Sequence, residues 1–485
     1  MKSTHRHKAH HDDDAPAVIS MITLGCAKNL VDSERILGGL AEAGFLIAQD
    51  PAVAELCLVN TCGFINDARE ETAGVLREIA DLKKSGSLRT LVALGCLVER
   101  VTDAPEFTRF LEAADARLGF KDYPRLPQIC RDLLDAARGQ QTAKLAVGAL
   151  AAQPRQSAAR KPVPQSYNDF LVMPRMRIGS PHTAFLKISE GCSNPCRFCA
   201  IPRMRGLQVS RPIESIVAEA QELADGGTQE LNLIAQDTTS YGRDLYKKYA
   251  LPELLHALKA VKGPRWLRLL YAYPRYLNEA MLDMLASDER FCRYIDIPLQ
   301  HIADPVLKSM ARGVTKQQTI DLLDLIERKL PGCAIRTAFI TGYPGETEQD
   351  FQELLAFITE GRFTHAGVFL YSNEPLTPAA KAADNIPLTE KKARREALML
   401  AQLEVSRRRM RERVGKQMEV LVDGPVSEAP VRGAKAIGRT KHEAPEVDGV
   451  VYLAGRGISK LSPGTFVQAE ITQALDYDVV GKVGQ

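Results

Sequence analysis

Three cysteines, Cys192, Cys196 and Cys199, stand in a single C-x3-C-x2-C run inside AFLKISEGCSNPCRFCAIPRMRGLQVS, residues 184–210. They follow a short apolar strand, Ala184 to Ser189. No other feature limits the fold as strongly, because three thiolates this close can face one centre. A structural zinc site or an ordinary iron–sulfur cluster takes four protein ligands. No fourth Cys or His lies nearby in the sequence. The run therefore suggests a cubane cluster with one iron left open, and an open metal position is where a substrate or cofactor binds. The alternatives are a partial zinc site or three packing cysteines. The polar loop, punctuated by Gly and Pro, argues against packing.

The totals bound the rest. A chain of 485 residues suggests two to four domains, and 45% hydrophobic content suffices for sizeable cores. A net charge of +3 is too balanced to argue by itself for nucleic-acid binding. No apolar run approaches the roughly 20 residues of a membrane span, and the N-terminus has no apolar segment of signal-peptide type. With ten cysteines and no such segment, a cytoplasmic protein with thiols or metal ligands is expected, rather than a disulfide framework.

Residues 1–16 form a polar tail carrying His5, His7, His10 and His11. It reads as a disordered arm, with metal binding as the alternative. Residues 17–138 alternate strand and helix patterns. Strands are expected at Val18–Leu24, Glu55–Asn60 and Thr90–Gly95, and helices at Leu30–Ala43 and Asp67–Lys84. A cysteine follows each strand: Cys26 in LGCAKN, Cys62 in NTCGF and Cys96 in LGCLVE. In an open parallel α/β sheet, ligands bind outside the carboxyl ends of the strands. The three thiols are thus expected to converge as a second three-Cys site, unless they are unrelated core cysteines. Cys57, Cys130, Cys292 and Cys333 lie within strand or helix patterns and read as packing.

Residues 139–177 shift to an Ala-, Gln- and Pro-rich composition and read as a linker. In residues 178–405 six strand patterns, beginning at Ala184, Glu230, Trp266, Tyr294, Ile335 and Ala366, alternate with helical ones. This predicts an open, incomplete (β/α)6 barrel with its active site at the C-terminal strand ends. The helix expected at Lys391–Arg413 packs an apolar stripe on the barrel and is otherwise cationic. Residues 408–485 hold short strands between turns and predict a small five-stranded antiparallel barrel. From Arg407 onward, 13 Lys and Arg face 10 Asp and Glu, a slight excess for an RNA grip.

The cysteine run resembles the signature of the radical S-adenosylmethionine (SAM) enzymes. That resemblance implies that the open iron chelates SAM and that reductive cleavage yields a 5′-deoxyadenosyl radical. Gly226-Gly227 resembles the family's GGE element at the methionyl amine, although the acidic residue arrives late, at Glu230. Asp237, Gln300 and the Gly342 turn are implied candidates for ribose, carboxylate or adenine contacts; the alternative for each is capping of the next helix.

The order of α/β domain with three Cys, radical SAM barrel and small barrel is similar to that of the methylthiotransferases, whose C-terminal barrel is the TRAM domain. Within them LGCAKNLVDSERI, NTCGFINDAREET, IAQDTTSYGRD and DIPLQH resemble the branch that modifies an aspartate of ribosomal protein uS12. Ala27, Arg197 and the long linker depart from that pattern without removing a ligand.

The resemblance implies two 4Fe-4S clusters, on Cys192, Cys196 and Cys199 and on Cys26, Cys62 and Cys96, with the two open irons facing one cavity. It implies replacement of a C–H at the aspartate β-carbon by C–SCH3, one SAM giving the methyl group and a second the radical. It further implies uS12 or the small ribosomal subunit as partner, an electron donor such as a flavodoxin or ferredoxin, a sulfur donor, and no membrane. Two rival expectations are a tRNA (isopentenyladenosine) methylthiotransferase and a non-catalytic, metal-dependent RNA-binding module.

Overall fold

The computed structural model describes residues 16–84, 86, 88–138, 170–426, 428–455 and 457–484. The histidines of the tail and residues 139–169 of the expected linker lie outside them. The described residues fall into two compact units divided at Met176–Arg177.

The first unit is a five-stranded sheet of strands β1 (Val18–Thr23), β2 (Leu46–Ala48), β3 (Leu56–Thr61), β4 (Thr90–Gly95) and β5 (Ala116–Leu118), in the order β2-β1-β3-β4-β5. Every pairing is parallel. Every residue of β3 and β4 is buried, as expected of a parallel sheet covered on both faces. Helices α1 (Ala27–Glu42), α2 (Asn66–Leu82) and α3 (Cys96–Asp103) lie in the connections, and α4 (Leu126–Arg138) follows β5. Helix α1 starts three residues before the expected Leu30, with Cys26 as its N-cap. The end of the expected linker belongs to this unit. Phe170 is fully buried with its ring centroid 5.0 Å from that of Tyr123, and the Met176 amide donates to the Glu34 carbonyl.

The second unit joins two barrels. Strands β6 (Thr183–Lys187), β9 (Glu230–Ile234) and β10 (Trp266–Leu269) form one parallel sheet, and β11 (Tyr294–Asp296), β12 (Ala334–Thr341) and β13 (His365–Leu370) another. In the chain between β6 and β9 comes the short antiparallel pair β7 (Ser189–Glu190) and β8 (Val209–Ser210), which closes the cysteine loop. The two sheets meet at β10 and β11 through separate backbone bonds, from Cys292 N to Leu267 O and from Ala272 N to Asp296 O, 2.8 Å each. The result is an open six-stranded barrel with β6 and β13 outermost. The expected Tyr294–Leu299 strand stops at Asp296, because Pro298 has no N–H to donate and Gln300 turns to φ +75°. Alternation along the strands sorts the core. Ala184, Leu186, Leu231, Leu233, Leu267, Leu269, Ile295 and Ile335 pack together in one apolar cluster with residues of the flanking helices.

Helix α12 (Leu388–Arg411; α5 to α11 are Ile201–Met204, Ile213–Asp225, Leu251–Leu258, Glu279–Ala286, Asp304–Ser309, Lys316–Lys329 and Glu348–Thr359) leads into a closed barrel. Its strands are β14 (Gln417–Pro425), β15 (Ala434–Arg439), β16 (Val451–Ala454), β17 (Phe466–Ala474) and β18 (Val479–Val483). All pairings are antiparallel except β16 with β18, which is parallel and corrects the fully antiparallel expectation. The closed barrel docks against the N-terminal ends of the larger barrel's strands. Glu230, first in β9, accepts from Arg268 at 2.9 Å and from Arg439 at 2.7 Å. Trp266 packs on Phe466, and Tyr294 donates to Asp448. No helix of the described residues is long and apolar enough to cross a membrane.

Candidate cluster sites

The C-terminal ends of β6 to β13 lie opposite that floor, and the cysteine loop is built there. β7 and β8 pinch residues 191–208 into a closed loop. Gly191 enters it at φ +75°, and a Cβ there would lie 2.2 Å from the Leu207 carbonyl oxygen, so only glycine fits. The Cys192 amide donates to Gly206 O, and the Ser193 hydroxyl accepts from the Gln208 amide. Asn194 Nδ2 donates to Asp237 Oδ2 at 2.8 Å, tying the loop to the end of β9. On the far side the Arg197 amide donates to Met310 O, and Arg197 O accepts from the Ala379 amide.

Beneath the loop, the buried Glu190 carboxylate accepts from Lys187, Arg205 and Gln236. Burial alone would raise its pKa, but Arg205 and Lys187 outweigh burial and hold it well below the usual carboxylate range. Burial pushes the Cys192 thiol up to about 12 and raises Cys199 as well, each helped by neighbouring thiols of the trio. Thiols so placed are poor nucleophiles unless a cation or metal compensates. Arg312 supplies a cation: its Nη1 lies 3.2 Å from Cys196 Sγ. Three thiols with one buried guanidinium beside them fit a cluster held through three thiolates.

In the first unit Cys26, Cys62 and Cys96 follow β1, β3 and β4, three adjacent strands. Gly25, at φ +92°, is so close to Cys62 that a Cβ would lie 3.1 Å from its Sγ. Asn29, in the first turn of α1, donates to Leu24 O and Thr61 O and accepts from Cys96 Sγ at 3.7 Å. Asn29 thus ties together the ends of the three strands that precede these cysteines. Cys26 caps α1 and Cys96 opens α3, so both sit where a helix dipole favours a thiolate. The donor set again fits a cluster. Among the described residues no three His, Cys, Asp or Glu side chains are close enough to share one metal ion. A cubane asks something different, one iron for each thiolate.

Asp237, Gln300 and Gly342 all lie at the cysteine end of the barrel. Asp237 is nearly filled by protein donors, accepting also from Thr239 and Ser240. The Gly342 amide donates to Glu346 Oε2 at 2.7 Å. Gln300 is half-buried and bridges to β12 through its backbone.

Gly226 and Gly227 are a correction. They precede β9, at the opposite end of the barrel from the cysteines. Gly227, at φ +92°, ends α6 in a Schellman motif, its amide donating to Ala224 O and the Thr228 amide to Leu223 O. The expected acidic partner, Glu230, is committed to the floor. Gly227→Ala should cost about 1 kcal/mol, the price of left-handed backbone for a residue with Cβ, and leave the Kd for SAM unchanged by equilibrium dialysis.

Sequence reasoning missed Arg312 and Tyr273, which approach Cys196 from distant segments and carry no local signal. Cys57, Cys130, Cys292 and Cys333 are buried as expected; burial pushes Cys57 and Cys292 up to about 11 and Cys130 up to about 12. A cavity of about 390 Å³ lies at the barrel seam, away from the cysteines, lined among others by Arg336, His365 and Tyr477.

Three family models match parts of the chain. Residues 186–358 match the Radical SAM superfamily, residues 18–116 the Uncharacterized protein family UPF0004, and residues 414–483 the TRAM domain. The chain is 45% identical to the ribosomal protein uS12 methylthiotransferase RimO of Anaeromyxobacter sp. (strain K), over 96% of this chain and 93% of that one. It is 38% identical to RimO of Geobacter sulfurreducens, over 97% and 99% of the two chains. It is 42% identical to RimO of Myxococcus xanthus, over 96% and 92%. Among solved structures, the radical SAM methyltransferase TsrM of Kitasatospora setae, with cobalamin and a [4Fe-4S] cluster bound, superposes with a TM-score of 0.51. That match is 16% identical and covers 75% of this chain and 74% of that one; the likeness is one of fold.

Proposed function

We propose the function of this chain from the family it belongs to, the radical SAM methylthiotransferases called RimO: it places a methylthio group on the β-carbon of an aspartate of ribosomal protein uS12. The observation that carries the proposal is the near full-length identity to uS12 methylthiotransferases. The two cysteine trios support the chemistry.

Cys192, Cys196 and Cys199 would hold one 4Fe-4S cluster and Cys26, Cys62 and Cys96 a second. With SAM, these groups supply radical hydrogen abstraction and the methylthio group when bound, chemistry that a weakly acidic C–H denies to a general base. The protein's share is positional. Gly191 and the Asn194–Asp237 bond fix the cysteine loop on β9. Asp237, Gln300 and Gly342 stand at the same rim and are the residues we assign to SAM. The TRAM barrel docks at the opposite end, on the first residues of β9, β10 and β11. Substrate, a one-electron donor such as flavodoxin or ferredoxin, and a sulfur donor meet the enzyme in the cytoplasm.

Anaerobic turnover with SAM, reductant and uS12 or small subunits should add one methylthio group in place of hydrogen at an aspartate, read by peptide mass. Modification of isopentenyladenosine tRNA instead, with uS12 untouched, would overturn the proposal. So would a colourless, zinc-loaded anaerobic preparation.

A further inference from the structure

Arg312 is 3% exposed, in the turn after α9. Its Nη1 donates to Cys196 Sγ at 3.2 Å and its Nη2 to Pro298 O at 2.5 Å, while Nε has no partner. The guanidinium lies over the Tyr273 ring, 4.3 Å from its centroid, and the Tyr273 hydroxyl donates to the Arg312 carbonyl at 2.8 Å. Among the described residues no carboxylate is within ion-pair distance of it. The other buried arginines near the barrel axis differ: Arg205 pairs with Glu190, Arg268 and Arg439 with Glu230, and Arg394 with Glu346.

A buried cation without a counter-ion is strongly unfavourable. The Tyr273 hydroxyl is engaged as a donor to the Arg312 carbonyl, which leaves the sulfur of Cys196 as the contacting group that can balance the charge. We infer that Arg312 is a positioning residue for the cluster on Cys192, Cys196 and Cys199, acting as its built-in counter-charge and raising its reduction potential.

The sign follows from charge. One-electron reduction makes the cluster more negative by one unit and breaks no bond; a reductant such as dithionite supplies the electron. A fixed cation favours the more negative state, the more so where solvent screening is weak. Hydrogen bonds to cluster sulfurs act in the same direction. The inference rests on the assignment of these three cysteines as ligands, so the test must separate the two claims.

The test uses full-length protein carrying Cys26→Ala, Cys62→Ala and Cys96→Ala, so that a single cluster titrates. The readout is the midpoint potential by electron paramagnetic resonance at graded potentials. If this background takes up no cubane, the ligand assignment fails, and Arg312 with it. Once loaded, Arg312→Gln should fall to a more negative midpoint by at least a tenfold change in the reduced-to-oxidised ratio, 59 mV for a one-electron couple. Arg312→Lys, which keeps the charge, should stay closer to the parent. An unchanged midpoint in Arg312→Gln, or an equal shift in Arg312→Lys, overturns the inference and leaves the ligand assignment standing. Should Arg312→Gln not load, Arg312→Met is the second neutral variant. Loading lost in both neutral variants and kept in Arg312→Lys supports a counter-charge; loading lost in all three gives Arg312 a packing role and overturns it.

Discussion

Full-length protein with Cys192, Cys196 and Cys199 all replaced by alanine should retain about half the iron of the parent, one cubane of two, and show SAM cleavage at background. The loop itself should survive. Its position rests on Gly191, the β7–β8 pair and the bonds of Asn194 and Arg197, none of which needs a thiol side chain. The reciprocal triple variant, at Cys26, Cys62 and Cys96, should also keep about half the iron, yet still cleave SAM and yield no methylthio product. Iron and labile sulfide analysis with anaerobic 5′-deoxyadenosine detection reads both. Parental iron in either variant would put the ligands elsewhere.

The second large effect belongs to the floor. Glu230→Ala leaves Arg268 and Arg439 buried without the carboxylate they share, and removing one partner of such a group costs about 3–5 kcal/mol. The midpoint of denaturant unfolding should fall accordingly, with iron content per folded molecule unchanged. The pH dependence has a definite sign. Burial would raise the Glu230 pKa, but Arg439 and Arg268 overcome it and lower the folded value. Glu443, beside Arg413, is lowered in the same way. A carboxylate lowered on folding contributes stability that is whole above its unfolded pKa, about 4.3. That stability is lost as the pH falls from there through the lowered folded value. The contribution of Glu230 should therefore be whole from neutrality down to about pH 4.3 and be lost below it, and Glu230→Ala should show a shallower acid limb than the parent.

Both effects trace to residues of unequal legibility. The cysteine run and the three strand-end cysteines were visible because their meaning is local: a spacing in one case, a position after a strand in the other. The strands of the larger barrel and three of the five in the α/β sheet could be read from apolar runs and turn residues, whereas β2 and β5, three residues each, are too short to show a pattern. What could not be read was pairing across the chain. Glu230 resembled part of a SAM motif in sequence, and only its contact with Arg439, 209 positions later, shows it to be structural. Gly226-Gly227 matched a motif by composition, but a Gly-Gly before a strand ends a helix, whereas one after a strand meets a ligand. Arg312 had no signal at all, since a buried cation is recognised by what surrounds it. The end of the presumed linker misled for the same reason: Phe170 is buried by a partner, Tyr123, that composition does not reveal.

The TRAM barrel is bolted to the roots of β9, β10 and β11 by Glu230, Trp266 and Tyr294. A module mounted this way is a foundation, not a hand on a flexible wrist. Whatever macromolecule grips it pulls directly on the staves of the larger barrel, and a truncated chain ending before residue 414 would leave raw charges where the base plate had been.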